Sequence, residues 1–243
     1  MPRRRVERPP GVVDWPGGRR EMVTAVESRL GEIARACPPL ESGMRMEGEE
    51  FERLYDLHPE IARAELIDGV AYVTAAMRHD QHGVPNSILS TWAGVYAAAR
   101  PTMVDFSGVG STVRIDRANT VQPDVLLRYR EGRSILSSDG YLSGAPDLIA
   151  EVAASSLAID LGAKFELYRR SGVREHLVWR VYENGLDWFS LEDGTYVPLA
   201  PDERGIVHSK VFPGLRLAVS KLLARDLAGV LAELTRKPRA KRA

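Results

Sequence analysis

The 243-residue sequence predicts an α/β domain whose core runs helix, three strands, helix, strand on a mixed sheet, with an added C-terminal β-meander and terminal helix. Segments with apolar residues at helical spacing alternate with short β-rich runs, which is typical of such a core. Asparagine-glycine and aspartate-glycine pairs separate the last β-rich runs and indicate hairpins. A content of 44% hydrophobic and 27% charged residues fits one large globular domain or two small ones, and excludes collagen-like or fully disordered protein.

Helices are expected where apolar residues recur three or four positions apart. The predicted helices cover residues 21–37, 47–57, 83–100, 157–170 and 219–234. The third is the first core helix. Ser155 and Ser156 are suited to cap the fourth helix, which ends at Ser171-Gly172.

Strands are expected in β-rich runs bounded by turn residues. Asp68-Gly69 predicts a hairpin within residues 64–74, while Asn184-Gly185 and Asp193-Gly194 divide a C-terminal meander over 175–199. The remaining strands are expected over residues 103–106, 112–115, 121–127 and 147–153. The last of these is apolar enough to be a buried central strand, apart from one glutamate.

The formal net charge of zero conceals two basic ends. Residues 1–20 contain six arginines and two acids, and residues 236–243 contain five basic residues and no acid, so that the body over 21–235 has a charge of about −9. We therefore expect an N-terminal extension over 1–45, partly disordered with a short helix, a domain over 46–235 and a basic tail over 236–243. The alternatives for the extension are a biological start at Met44 or Met46, or a dispensable arm.

Cysteine content and hydropathy predict a cytoplasmic protein. Cys37 is the single cysteine, which excludes an intrachain disulfide and fits a reducing compartment. The basic N-terminus is not followed by the apolar segment of a signal peptide. Because no stretch reaches the length of a membrane span, we expect no membrane association.

Two acids stand where the strand pattern favours apolar residues. Asp124 follows Pro123 at the start of an apolar run, and Glu151 interrupts the predicted buried strand. A buried carboxylate is costly unless it is paired or binds a metal, so two of them on neighbouring strands suggest a site for a hard cation such as Mg²⁺. Lys164 lies on the following helix, in a chain with 5 lysines and 28 arginines, where a lysine indicates a need for a compact ammonium group.

An ordered series of motifs resembles the Uma-type family of restriction endonuclease-like proteins, within the PD-(D/E)XK nuclease superfamily. The resemblance covers about residues 46–234 and implies a restriction-endonuclease-like core. The matching segments are ELIDG (65–69), QPDV (122–125), GAPDLIAEVAASS (144–156), DLGAKFELYRRSGVREHLVW (160–179) and KVFPGL (210–215).

The resemblance implies a role for each matching residue. Asp124 and Glu151 would be metal ligands, with the backbone carbonyl of Val152 as a further one. The superfamily commonly has its lysine two residues after the glutamate, whereas the Uma-type branch has it on the next helix, where Lys164 stands. Glu65 would be an additional acid at the site. The implied cofactor is Mg²⁺, with Mn²⁺ as a substitute.

Structural interpretations of the same residues remain open. Asp124 also suits the start of a strand after a proline turn, and Glu65 also suits ordinary strand polarity. Asp160 lies four residues before Lys164, the order favoured for an ion pair on a helix surface.

Two histidines near the start of the first core helix offer a weaker metal-binding pattern. His79 and His82 lie three residues apart, so that both imidazoles can reach one ion. No third nitrogen or sulfur ligand lies near them in sequence. We therefore interpret both as surface or helix-start residues.

The sequence therefore predicts a Mg²⁺-dependent endonuclease that hydrolyses DNA by means of a metal-activated water, and DNA is the expected partner. A homodimer is expected by analogy with restriction-type nucleases, in which two sites cut two strands. Because a fold does not determine a function, two alternatives stay open. One is a non-cleaving nucleic-acid-binding protein with a nuclease fold, and the other is a metal-dependent hydrolase of another phosphate substrate.

Overall fold

The structure is a computed structural model that describes residues 38–74, 77–108 and 110–236. The helix predicted over residues 21–37 lies outside these ranges, as does the basic tail after its first residue. The elements described below belong to a unit that begins at Leu40. Within the described ranges, no helix has both the length and the apolar character needed to cross a bilayer.

The helices predicted over 47–57 and 83–100 are confirmed, but the two later ones are each broken in two. The described helices are α1 (Gly48–Leu57), α2 (Val84–Ala98), α3 (Leu157–Asp160), α4 (Ala163–Ser171), α5 (Val219–Leu223) and α6 (Leu227–Leu234). Gly162 separates α3 from α4, where a Cβ atom would lie 2.4 Å from the carbonyl oxygen of Ala158. Arg225 adopts the left-handed conformation (φ 56°) between α5 and α6, which interrupts the second helix.

Fourteen strands lie in the described residues. They are β1 (Ala64–Ile67), β2 (Val70–Val73), β3 (Val104–Ser107), β4 (Val113–Asp116), β5 (Asn119–Val121), β6 (Val125–Tyr129), β7 (Ile135–Leu136), β8 (Leu142–Ser143), β9 (Leu148–Ala153), β10 (Glu175–Arg180), β11 (Gly185–Glu192), β12 (Thr195–Pro198), β13 (Ile206–His208) and β14 (Arg216–Ala218). Two predicted hairpin turns are confirmed: Asp68 and Gly69 have φ of 51° and 69°, and Asp193 and Gly194 have φ of 46° and 80°. The third hairpin also forms, between β10 and β11, but Gly185 begins β11 opposite Arg180, so its turn comprises residues 181–184.

The central sheet confirms the predicted fold class. Its strands lie in the order β12-β11-β10-β9-β6-β3, and α2 precedes them in the chain. The β9–β10 pair is parallel and the other neighbours are antiparallel, so the sheet is mixed. A parallel connection needs a crossover, which α3 and α4 supply. The predicted meander continues this same sheet through β11 and β12.

A second six-stranded sheet corrects the prediction of one strand over 121–127. Its order is β2-β1-β5-β4-β8-β7, and it includes two short strands within the segment 130–145, for which the sequence pattern predicts none. The chain leaves this sheet at Val121 and enters the central sheet at Val125. Between them lies Pro123, which has no N–H to donate to a strand ladder and so ends one pairing before the next begins.

Alternation along the strands places the acids on one face of the central sheet. On β9, Leu148, Ala150 and Val152 pack in the apolar cluster around α2, whereas Ile149 packs in the cluster with Leu167 and Tyr168 of α4. Side chains two positions apart share a face, so Glu151 lies on the α4 side. By the same rule Asp124 shares this face with Leu126, which belongs to the α4 cluster.

A histidine in the α4 cluster makes stability depend on pH. His176 is fully buried against Phe165, Tyr168 and Tyr196, and neither ring nitrogen has a hydrogen-bond partner among the described residues. Burial lowers the pKa of His176 to about 3 from 6.5, and the positive charge of Lys164 acts in the same direction. The unfolded chain therefore binds a proton that the folded protein excludes, and stability falls as the pH drops from about 6.5 toward 3.

Substituting His176→Phe removes the loss of stability that protonation of the unfolded chain causes at low pH. Between about pH 7.5 and about pH 5, the unfolding free energy of H176F gains about 2 kcal/mol relative to that of the wild type. Urea denaturation of both proteins at the two pH values measures the difference. A constant difference across this range would contradict the assignment of a neutral buried His176.

Candidate active site

Asp124 lies where the two sheets meet, and its carboxylate is buried. Continuing the β6–β9 register places Pro123 opposite Val152, and the Val152 N–H donates to Oδ2 of Asp124 at 2.8 Å. Arg63 Nη1 donates to Oδ1 at 2.6 Å, and His82 Nε2 lies 3.1 Å from Oδ2. Both oxygens of this carboxylate are therefore engaged by protein groups.

Glu151 is 1% exposed and lies beside Asp124 on the neighbouring strand. Its Oε2 accepts the backbone N–H of Asp124 at 3.3 Å. Its Oε1 accepts the hydroxyl of Tyr168 at 2.8 Å and lies 3.1 Å from Nζ of Lys164. Hydrogen bonds thus hold the two carboxylates in adjacent, fixed positions.

Lys164 lies on α4, is 3% exposed and contacts three acids from other elements. Its Nζ lies 2.9 Å from Glu65 Oε2, 3.1 Å from Glu151 Oε1 and 3.6 Å from Asp160 Oδ1. The ion pair with Asp160 exists, but both side chains are buried, so the interpretation of a helix-surface pair is wrong. The ammonium group instead neutralises carboxylates inside the protein.

Glu65 joins the second sheet to this cluster. It lies on β1 and is 5% exposed. One oxygen accepts the backbone N–H of Gln122 at 2.6 Å, and the other pairs with Lys164. The structure therefore brings Glu65, Asp124, Glu151 and Lys164 into one network, with Val152 contributing its N–H.

Sequence reasoning missed several members of this network. His82, which we interpreted as a surface or helix-start residue, contacts Asp124 from a π-helical turn at His79–Gly83, and its side chain is 14% exposed. Asp160 and Tyr168 lie four residues before and four residues after Lys164. In the single helix that the sequence predicts over 157–170, this spacing indicates one shared face. Arg63 carries no distinguishing signal among 28 arginines.

Ser156 does not cap a helix through its side chain as the sequence suggested. It occupies the position before α3, but its hydroxyl donates to Oδ2 of Asp160 at 2.6 Å and makes no capping hydrogen bond. Because Asp160 is buried, this bond satisfies an oxygen that Lys164 leaves free. The serine thus supports the acidic cluster.

Burial and charge drive the pKa values of the two central acids apart. For Asp124, burial raises the pKa, but the hydrogen bond with His82 and the charge of Arg63 outweigh it and hold the pKa below the ordinary range. For Glu151, burial raises the pKa to about 8, because Lys164 compensates only in part and Asp124 adds negative charge. Four buried acids (Glu65, Asp124, Glu151 and Asp160) thus share the lysine and arginine charges, and further positive charge would favour ionised Glu151.

The network forms the wall of a cleft of about 290 Å³. Within the described ranges, no three acidic, histidine or cysteine side chains are arranged as a ready-made metal cage. The carboxylates that line the cleft belong to Glu65, Asp124, Glu151 and Asp160, and Arg63, Arg78 and Lys164 line it with them. Mg²⁺ commonly binds one or two protein carboxylates together with water and phosphate. The carboxylate oxygens of Asp124 and Glu151 are donors of the kind that a hard divalent cation binds, so the residues present fit such an ion.

Two carboxylates from adjacent strand segments of a mixed sheet, with a lysine on the following helix, form the arrangement that the resemblance to restriction endonuclease-like proteins implies. The chain belongs to the Uma2 family, whose sequence model, described as "Putative restriction endonuclease", matches residues 49–220. The predicted family is thereby confirmed.

A solved structure shares the fold. It is described as "a putative nuclease belonging to DUF820" from Anabaena variabilis ATCC 29413, and it is 16% identical with a TM-score of 0.58. The alignment covers 74% of this chain and 98% of that one. No curated protein matches the chain.

Lys164 is expected to stabilise the protein through its buried ion pairs with Glu65 and Glu151. Lys164→Met leaves Glu65 and Glu151 without their counter-charge and lowers the free energy of unfolding by about 3 kcal/mol at neutral pH. Urea denaturation measures the loss. The matched control is Lys210→Met, which removes an exposed pair with Glu192 and costs less than about 1 kcal/mol. Equal stabilities of the two variants would contradict the buried network.

Proposed function

We propose that this protein is a Mg²⁺-dependent endonuclease that hydrolyses phosphodiester bonds in DNA. The observation that carries the proposal is the meeting of Glu65, Asp124, Glu151 and Lys164 in one buried cluster beside a cleft. These residues come from two sheets and a helix and are far apart in sequence. Membership in a family described as restriction endonucleases supports a nuclease function.

Asp124 and Glu151 are the proposed ligands of the cation, and the backbone carbonyl of Val152 is a further one. When bound, Mg²⁺ supplies Lewis-acid polarisation of the phosphate and a water of lowered pKa, and Mn²⁺ accepts the same oxygen donors. Asp124 suits this role because its pKa below the ordinary range keeps it ionised. Glu151 suits it because burial beside other acids raises its pKa to about 8, and the positive charge of a bound cation would stabilise its ionised form.

Lys164 acts as a fixed positive charge in this proposal. Burial alone would lower its pKa, but the charges of Glu151 and Glu65 raise the pKa above the ordinary value for lysine. The group is therefore protonated at neutral pH and cannot serve as a general base. Its ammonium is suited to stabilise negative charge that develops on the scissile phosphate. Glu65 positions it through the 2.9 Å ion pair.

DNA is the proposed substrate, cut to leave a 5′-phosphate and a 3′-hydroxyl. The arginine-rich residues 1–20 and the basic residues 236–243 add positive charge beside an acidic domain, which favours contact with a polyanion. A homodimer would present two such sites, one for each strand of a duplex. We therefore propose that the active form is a homodimer.

Conversion of supercoiled plasmid to nicked or linear DNA tests this function. In Mg²⁺ or Mn²⁺, Asp124→Asn and Glu151→Gln are expected to lower the cleavage rate by about 100-fold or more, because each removes a negatively charged donor. Glu166→Gln is the matched control, since Glu166 is exposed on α4 and pairs with Arg169. It should cut like the wild type.

Two results would argue against the proposal. Equal cleavage by D124N and the wild type would remove the assigned site. Salt-dependent DNA binding with no cleavage in any divalent cation would instead favour the non-cleaving alternative.

A further inference from the structure

A second cleft joins the active-site cleft at Arg63 and Asp124. It has a volume of about 620 Å³ and extends along the N-terminal half of α2. Uncharged polar groups line much of it, among them Asn86, Ser87 and Thr91. Arg63 is the only cationic side chain among the described residues of its lining. A polyanion that runs through both clefts must therefore pass the Arg63 guanidinium at their junction.

The hydrogen bonding of Arg63 is incomplete. Nη1 donates to Oδ1 of Asp124 at 2.6 Å, and Nη2 donates to the backbone carbonyl of Gln122. Nε is buried and has no hydrogen-bond partner among the described residues. Since a guanidinium presents its donors as a planar fork that matches phosphate oxygens, Arg63 has donors suited to this ligand at the junction.

Arg63 also occupies an oxygen that a cation would use. Oδ2 of Asp124 already accepts the Val152 N–H and lies near His82, while Oδ1 accepts Arg63. A divalent cation on Oδ1 would repel the guanidinium and take its acceptor. The Val152 N–H is fixed by the strand, whereas the guanidinium stands at the end of a long side chain with several rotatable bonds. Cation and guanidinium therefore compete for Oδ1.

We propose that Arg63 is a phosphate-binding residue of the active site, which Asp124 holds in the metal-free protein and which a divalent cation on Asp124 releases to the nucleic-acid backbone. The proposal rests on the proposed nuclease function and extends it by a substrate contact. In the competing interpretation, Arg63 is only the structural counter-ion of Asp124 and of Glu65, whose Oε1 lies 3.9 Å from Nη2. The two interpretations predict opposite effects of removing Arg63 on the affinity for a divalent cation. If Arg63 competes with the cation, its removal strengthens cation binding. If Arg63 only holds the Asp124 carboxylate in place, its removal weakens cation binding.

The test uses full-length Arg63→Met and Arg63→Lys, with Arg169→Met as the matched control because Arg169 pairs with Glu166 on the exposed face of α4. Calorimetric titration with Mn²⁺ in the absence of DNA is expected to show about tenfold tighter binding by R63M, since the competing charge is gone. Binding of a mixed-sequence DNA duplex in Ca²⁺ is expected to weaken about tenfold, with a salt dependence reduced by about one phosphate contact. R169M should match the wild type in both measurements.

Arg63→Lys keeps the proposal testable if R63M does not fold. Lysine retains the charge but lacks the fork, so R63K is expected to bind Mn²⁺ like the wild type and DNA several-fold more weakly. Unchanged or weaker Mn²⁺ binding by folded R63M, or unchanged DNA binding by either variant, would overturn the proposal. A wild type that binds DNA and Mn²⁺ but whose Arg63 variants behave normally leaves the nuclease function intact. A wild type that binds neither overturns that function and this inference with it.

Discussion

The buried ammonium of Lys164 is the interaction on which the site depends. It lies within 3.6 Å of three carboxylates, from β1 of the second sheet, from β9 of the central sheet and from α3. Removal of so many charges from water is costly, and the cost is offset only while the partners stay in place. The lysine therefore ties the packing of two sheets to the position of the acids that face the cleft.

Charge is nevertheless unbalanced around this lysine. Four buried acids face Lys164 and Arg63, and the protein manages the excess in two ways. At Asp124 it supplies donors to both oxygens, and the pKa stays low; at Glu151 burial dominates, and the pKa rises to about 8. Such divergence between neighbouring carboxylates is common where a protein is arranged for chemistry. In the proposed function, the same excess of acids favours the binding of a divalent cation, which would then displace Arg63 from Asp124.

Much of the fold could be predicted because its signals are local. Apolar spacing indicated α1 and α2, and the positive φ values that Asp68-Gly69 and Asp193-Gly194 adopt readily made those turns recognisable. The breaks at Gly162 and Arg225 and the second sheet were not foreseen. A helix break and a change of sheet depend on which segment packs alongside, and apolar spacing within one segment does not report this.

By itself the sequence determined the order of the core elements and the family. It also singled out Glu65, Asp124, Glu151 and Lys164 as candidate active-site residues. An acid in an apolar strand is visible in sequence because it violates the burial pattern. Only the tertiary structure decided that Asp160, Tyr168, His82 and Arg63 join them. Polar residues in loops, in turns or on a helix violate no pattern, so their function emerges only when folding places them against a buried charge.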